Sequence, residues 1–375
     1  MTVTIDPKTG YSPELKARVE AEIARAKTFE PLAAADSDPD ADIRWLIFDE
    51  DNAKVGYSFV NRPPELDFIW PGFAAGTVGA LVAPGATGKS FWALEAMMSI
   101  ACSVAGGDLA GLNPGKSGRV LYISAEDPKL ILEHRIHALG AYLSNEARDS
   151  IDANLMVKPA VGKSFDVMND RHLHAMIKKC KGVRLLVLDT LSCIHCLDEN
   201  SNSDMSRMLI RLKLIAEESG AAVLYLHHVN KGSAFAGSTD QQQAARGASA
   251  LIDNIRWCGY VAKMTEDESK RLCEPDSLSP VGSDRRDFFV RFGGSKCNVD
   301  ERADDIWYMR KKGGVLVPVA LREPGRPASA SDAPAPRSGF HNKATRDAVI
   351  RRVLNTTGPD GEWVDLPQHD GNGDW

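Results

Sequence analysis

The 375-residue sequence is 43% hydrophobic and 26% charged, with a net charge of −6 and a pI near 5.9. That balance supports a large buried core and excludes a global basic field that would draw the chain to nucleic acid or an acidic membrane, so any nucleic-acid contact has to be local. No apolar run approaches the roughly 20 residues of a membrane span. The first residues lack the pattern of a secretion signal, and the seven cysteines show no disulfide-scaffold spacing; the expectation is a soluble, cytoplasmic chain in a reducing compartment.

Residues 1–61 read as an acidic, irregular extension. One amphipathic helix is expected over residues 12–28, with Ser12 as N-cap, Pro13 in the first turn and Leu15, Val19 and Ile23 on one face. Two short strands, Ile43–Phe48 and Val55–Val60, are expected on either side of the polar turn at Asp49–Asn52. Over residues 62–321 the pattern changes. Apolar strands at Val78–Val82, Arg119–Ser124, Leu185–Asp189 and Ala221–His227, separated by helical stretches, predict an α/β core with a mostly parallel sheet covered on both faces. Shorter segments at Asn254–Val261, Arg286–Phe292, Ile306–Arg310 and Val315–Ala320 are expected to complete it, partly antiparallel. Residues 322–340 are a Pro/Ala/Ser-rich flexible linker by composition, and residues 341–375 hold one helix, Ala344–Leu354, with too little chain for a core of their own.

The first core strand runs into Ala83, Pro84, Gly85, Ala86, Thr87, Gly88, Lys89 and Ser90, and a helix follows. This is the G-x-x-x-x-G-K-[ST] phosphate loop with Ala83 in place of its first glycine. It predicts a nucleoside triphosphate with Mg²⁺: Gly85 and Gly88 let N–H groups turn inward, Lys89 reaches the β/γ-phosphate oxygens, the Ser90 hydroxyl ligates Mg²⁺, and the helix adds its positive end.

Further features end later strands, where ligands bind in open α/β sheets. Glu126 follows the second strand and suits a carboxylate that orients and deprotonates an attacking water. Asp189 ends an apolar strand in the manner of a Mg²⁺-holding carboxylate. Cys193 and Cys196 flank His195, a pattern that fits zinc only with a second ligand pair, which the spacing does not supply. His227 and His228 end the next strand; one of them can hydrogen-bond a γ-phosphate, or both can be satisfied strand-end histidines. The long polar segment 229–247, carrying Lys231 and Arg246, suits backbone contacts to a single strand. Arg256, read as lying on a strand, can serve as an arginine finger for a neighbouring subunit or pair with a local carboxylate, and Arg291 and Lys296 compete for the finger role.

With these residues assembled, the chain resembles the RepA family of RecA-type hexameric replicative helicases from broad-host-range plasmids and, more broadly, AAA-family ATPases of phages and mobile elements. The resemblance covers about residues 62–320 and rests on Ala75-Gly-Thr-Val-Gly-Ala-Leu-Val82, Ala125-Glu-Asp-Pro128, His137-Ala-Leu-Gly140, Leu226-His-His228, Asp240-Gln-Gln-Gln243 and Asp253-Asn-Ile-Arg-Trp257. It implies a RecA-like core in a homo-oligomeric ring, usually of six, with ATP and Mg²⁺ at subunit interfaces and single-stranded DNA in the central channel. It further implies Lys89 and Ser90 on the phosphates and Mg²⁺, Glu126 as base, Asp189 as the Walker B carboxylate, His228 as γ-phosphate sensor, Arg256 as the finger in trans, and the loop after His228 as the DNA loop. The two tails lie outside the resemblance and are places for replication or mobile-element partners. Two other readings fit the same residues: a RecA-fold regulatory, recombination or defence ATPase that assembles without unwinding, and a small-molecule phosphotransferase.

Overall fold

The computed structural model describes residues 52–228, 250–275, 277, 279–298 and 304–323. The expected helix at 12–28, the strand Ile43–Phe48, Lys231, Arg246, most of the 322–340 linker and the helix Ala344–Leu354 lie outside them. The chain divides into two units, Met1–Glu65 and Leu66–Trp375. In the first, Val55–Val60 is a helix, α1, and not the expected strand. Its β-branched ends suggest a strand, but Ser58 Oγ and the Asn61 side chain bond back to the carbonyls of Lys54 and Tyr57, the i−4 pattern of a helical turn.

The second unit is built on a nine-stranded sheet in the order β11-β10-β9-β8-β3-β7-β6-β4-β5. A two-stranded ribbon, β1 (Phe68–Trp70) with β2 (Phe73–Ala74), precedes it. The parallel strands are β3 (Val78–Ala83), β4 (Val120–Ser124), β5 (Leu155–Pro159), β6 (Leu185–Asp189), β7 (Ala222–His228) and β8 (Trp257–Lys263). Three antiparallel strands finish the sheet: β9 (Phe289–Cys297), β10 (Ile306–Arg310) and β11 (Leu316–Pro318). This is the mostly parallel, helix-covered sheet expected of a RecA-like P-loop core. Strand β5 is not among the expected strands, because only Leu155, Met156 and Val157 are apolar and at the sheet edge they are only half-buried. Residues 250–253 form α7, a single helical turn, just before the segment expected to be a strand from Asn254.

Side-chain alternation along the strands divides the core in two. Leu81, Ala83, Tyr122, Val187, Leu224 and Leu226 face one side and bury α2 (Lys89–Ala101), α3 (Lys129–Gly140) and α4 (Asn145–Asn154). Ala80, Val82, Leu121, Leu186, Val223 and Tyr225 face the other and bury α5 (Asp170–Cys180) and α6 (Asn202–Ser219). The two long outer helices are capped as their sequences dictate: Asn169 and Ser201 accept N–H bonds from His172 and Asp204, and α6 stops at left-handed Gly220. Among the described residues no helix is long and apolar enough to cross a membrane.

Helix α2 carries a polar group into the first core. Glu95 is fully buried; Oε1 accepts the Leu316 N–H at 2.8 Å, and Oε2 has no partner. Burial pushes its carboxyl well above the usual range, against the smaller opposing effect of the Leu316 bond. The native state therefore holds a proton that the unfolded chain releases above pH about 4.5, so this group's contribution to stability falls as pH rises. Glu95→Gln keeps the acceptor and has no ionised form; it is expected to raise the denaturant midpoint at pH 8 relative to wild type, with the difference vanishing near pH 4.

Candidate functional site

The chemistry-bearing residues converge at the carboxyl ends of β3, β4, β6 and β7. Strand β7 lies between β3 and β6, so the turn after Ala83 and the end of β6 flank the end of β7. Ala83 is the last residue of β3 and is buried and extended, which explains why alanine serves there. In the loop that follows, the left-handed residues are Ala86 (φ 60°) and Gly88 (φ 110°), whereas Gly85 is not left-handed as its glycine suggests. For alanine this conformation costs on the order of 1–2 kcal/mol. The Thr87 hydroxyl donates to the Pro84 carbonyl at 2.7 Å and closes the loop on itself.

Lys89 opens α2 with only 4% of its surface exposed, and its Nζ has no hydrogen-bond partner. Burial lowers its pKa, a shift opposed by the charges of Asp189 and Glu126. Asp189 is 1% exposed; Oδ2 accepts the Tyr122 hydroxyl at 2.7 Å, and Oδ1 has no partner. An unpartnered ammonium and an unpartnered carboxylate oxygen are each costly in a dry site. A triphosphate with Mg²⁺ satisfies both, so the residues present fit that ligand: Lys89 and the loop N–H groups on phosphate, Ser90 and Asp189 on the metal. Tyr122, which fixes Asp189, is not among the candidates read from the sequence, although it shares the alternating face of Val120 and Ser124.

Glu126 is rooted beside Asp189, since the Ala125 N–H donates to the Asp189 carbonyl at 2.6 Å. Its Oε1 lies 2.8 Å from His228 Nε2. Of the histidine pair, His228 shares the strand face of Leu224 and Leu226, the face of α2, while His227 follows Tyr225 onto the other. His227 is 8% exposed and its pKa is lowered to about 4, first by burial, then by the Lys89 charge and the other two imidazoles. Between that value and the unfolded value near 6.5 the native chain binds fewer protons than the unfolded one. Stability therefore rises with pH through this window and is lost as pH falls toward 4, by on the order of 3 kcal/mol. His227→Gln is expected to remove that loss, read as a smaller drop in unfolding free energy between pH 7 and pH 5. Beside Glu126, Asp127 forms a two-pronged pair with Arg135, and that guanidinium lies 5.2 Å from the centre of the Phe91 ring. Arg135 has no signal in the sequence.

The three cations weighed as fingers separate clearly. Arg291 is enclosed by Glu268 at 2.6 Å and Asp305 at 3.4 Å, against the rings of Trp307 and Tyr260. Lys296 donates to the carbonyls of Ile252 and Asp253 at 3.0 and 2.9 Å. Arg256 is not on a strand: it sits in the bend before β8, and its N–H faces the carbonyl of Val78 at the start of β3. Its side chain is exposed and has no hydrogen bond or ion pair among the described residues. The six residues of β3 put it about 20 Å from its own phosphate loop. The Cys193–Cys196 segment belongs to no group of three or more metal-ligating side chains among the described residues.

Residues 51–234 match the family described as AAA domain. This stretch is an AAA-type ATPase domain. Among solved structures, the chain is similar to an isolated ATPase domain, at 14% identity, 75% coverage of this chain, 99% of that chain and a TM-score of 0.43. It is also similar to the RadB recombinase, at 14% identity, 65% and 90% coverage and a TM-score of 0.39. The matched domain spans the phosphate loop, Glu126, Asp189 and His228, while Arg256 and strands β8 to β11 lie beyond it.

Proposed function

We propose that this ATPase works as an oligomeric ring, of RepA-like helicase type and with six subunits, that moves along single-stranded DNA and separates duplex strands. The observation that carries the reading is the division of cations. Arg291 and Lys296 are committed within the chain, and Arg256 stands exposed at the sheet end remote from its own loop. It can reach a γ-phosphate only in another copy, which makes each phosphate loop half of a site completed by a neighbour.

In this reading Lys89 and the Pro84–Ser90 loop hold the triphosphate, and Ser90 and Asp189 hold Mg²⁺, which screens phosphate charge when bound. Glu126 orients and deprotonates the attacking water. His228 is bonded to Glu126 and is the residue from which segment 229–247, with Lys231 and Arg246, departs toward the DNA. Displacement of that segment would be felt at the base through one hydrogen bond.

The test is mass in solution with an ATP analogue and single-stranded DNA, together with hydrolysis and strand separation on a forked duplex. A ring that hydrolyses faster with single-stranded DNA and opens the fork is the expected result. Assembly with ATP but without DNA stimulation would overturn it in favour of a regulatory or recombination ATPase.

A further inference from the structure

The antiparallel end of the sheet returns to the phosphate loop at four points. Arg310, the last residue of β10, donates from Nη2 to the Thr87 carbonyl at 2.6 Å. Gly314, in the turn between β10 and β11, is left-handed at φ 90°, and a Cβ there would stand 2.6 Å from the ring of Phe91, the residue after Ser90. Leu316 of β11 donates to Glu95, and Tyr308 of β10 accepts the Trp92 indole N–H at 3.1 Å, both partners lying on α2. The hairpin β10–β11 is thus fastened along the first turns of the phosphate-loop helix.

The Arg310 contact has a directional consequence. Thr87 C=O and Gly88 N–H belong to one peptide unit, which is trans, so the two groups point to opposite sides of it. A carbonyl anchored outward on Arg310 turns the Gly88 N–H the other way, into the loop. The space outside is filled as well: a Cβ on Gly88 would lie 3.0 Å from Arg310 Nη2 and 3.7 Å from Leu316 Cδ1. Arg310 Nε is buried without a hydrogen-bond partner, so the guanidinium brings an incompletely compensated positive charge to the rim of an anion site.

We infer that Arg310 is a positioning residue of the nucleotide site: it holds the Thr87 carbonyl outward, aims the Gly88 N–H at the phosphates, and makes the β10–β11 hairpin part of the triphosphate-binding machinery. The inference rests on the triphosphate reading of the Pro84–Ser90 loop and extends that site beyond the matched AAA domain. It predicts a loss in binding more than in chemistry, because the aimed N–H serves the ground state and the transition state alike.

The experiment compares the full chain with Arg310→Met, which keeps the stem and removes the donors, and with Arg310→Lys, which keeps one charged donor. Titration with ATP and with ADP should show Kd raised about tenfold to a hundredfold in Arg310→Met, the scale of a charged hydrogen bond, with partial recovery in Arg310→Lys. KM for ATP should rise in parallel while kcat stays near wild type, and the melting temperature without nucleotide should stay close to wild type. Unchanged affinities in Arg310→Met would overturn the inference alone. Loss of the folded state in both variants without nucleotide would also overturn it, leaving Arg310 a structural strut. Wild-type protein that binds neither nucleotide, indistinguishably from Lys89→Ala, would overturn the triphosphate reading itself and the inference with it.

Discussion

Arg256→Ala is expected to lower kcat for ATP by about 10³–10⁵-fold while leaving the Kd for ATP unchanged, the scale set by arginine fingers in phosphoryl transfer. The expectation follows from placement. An exposed guanidinium about 20 Å from its own phosphate loop contributes nothing to binding there and can act only on another copy's γ-phosphate. A mixing experiment isolates this. Arg256→Ala subunits have an intact loop and no finger, and Lys89→Ala subunits have the reverse. Each preparation alone should be inactive, and the mixture should regain turnover wherever an intact loop meets an intact finger. Retained turnover in Arg256→Ala, or no recovery on mixing, would sink the assignment.

Glu126→Gln is expected to reduce kcat by about 10²–10⁴-fold, the usual contribution of a positioned general base, with nucleotide binding retained. The amide keeps the size of the carboxylate and can still pair with His228, so the change removes basicity and little else. Single-turnover hydrolysis and the yield of ATP-bound oligomer separate the two effects: the first should collapse and the second should rise. Near-wild-type hydrolysis would move the base elsewhere. Asp127 is the adjacent carboxylate, but it is held by Arg135, and burial already raises its pKa against that partner's pull.

The part of the site legible in the sequence is the part built from short, local patterns. The phosphate loop is contiguous, and Glu126, Asp189 and His228 each end or follow an apolar strand, so alternation alone puts Asp189 and His228 on the α2 side. Strand β10 has its expected bounds because Ile306–Arg310 is apolar between polar breaks. What stays hidden depends on distant partners. Nothing near Arg291 announces that Glu268 and Asp305 enclose it, and nothing near Arg310 announces Thr87, 223 residues away. Val55–Val60 departs from expectation for a different reason: propensity favours a strand there, and two local side-chain bonds favour a helical turn. Arg256 reads as part of a strand only if the apolar run to its C-terminal side is extended backwards across a turn.

The span between Arg310 and Thr87 bears on how the molecule is made. The phosphate-loop strand is among the first of the sheet to leave the ribosome, yet its neighbours β7 and β8 come after most of the parallel strands, and the hairpin that braces its loop comes last. Long-range closure of this kind is slow, because the chain loses the entropy of a large loop before the contact repays it. A nascent chain halted before residue 306 would carry a complete phosphate-loop sequence without its brace, so tight nucleotide binding, and any assembly that depends on it, becomes a late event in the life of the polypeptide.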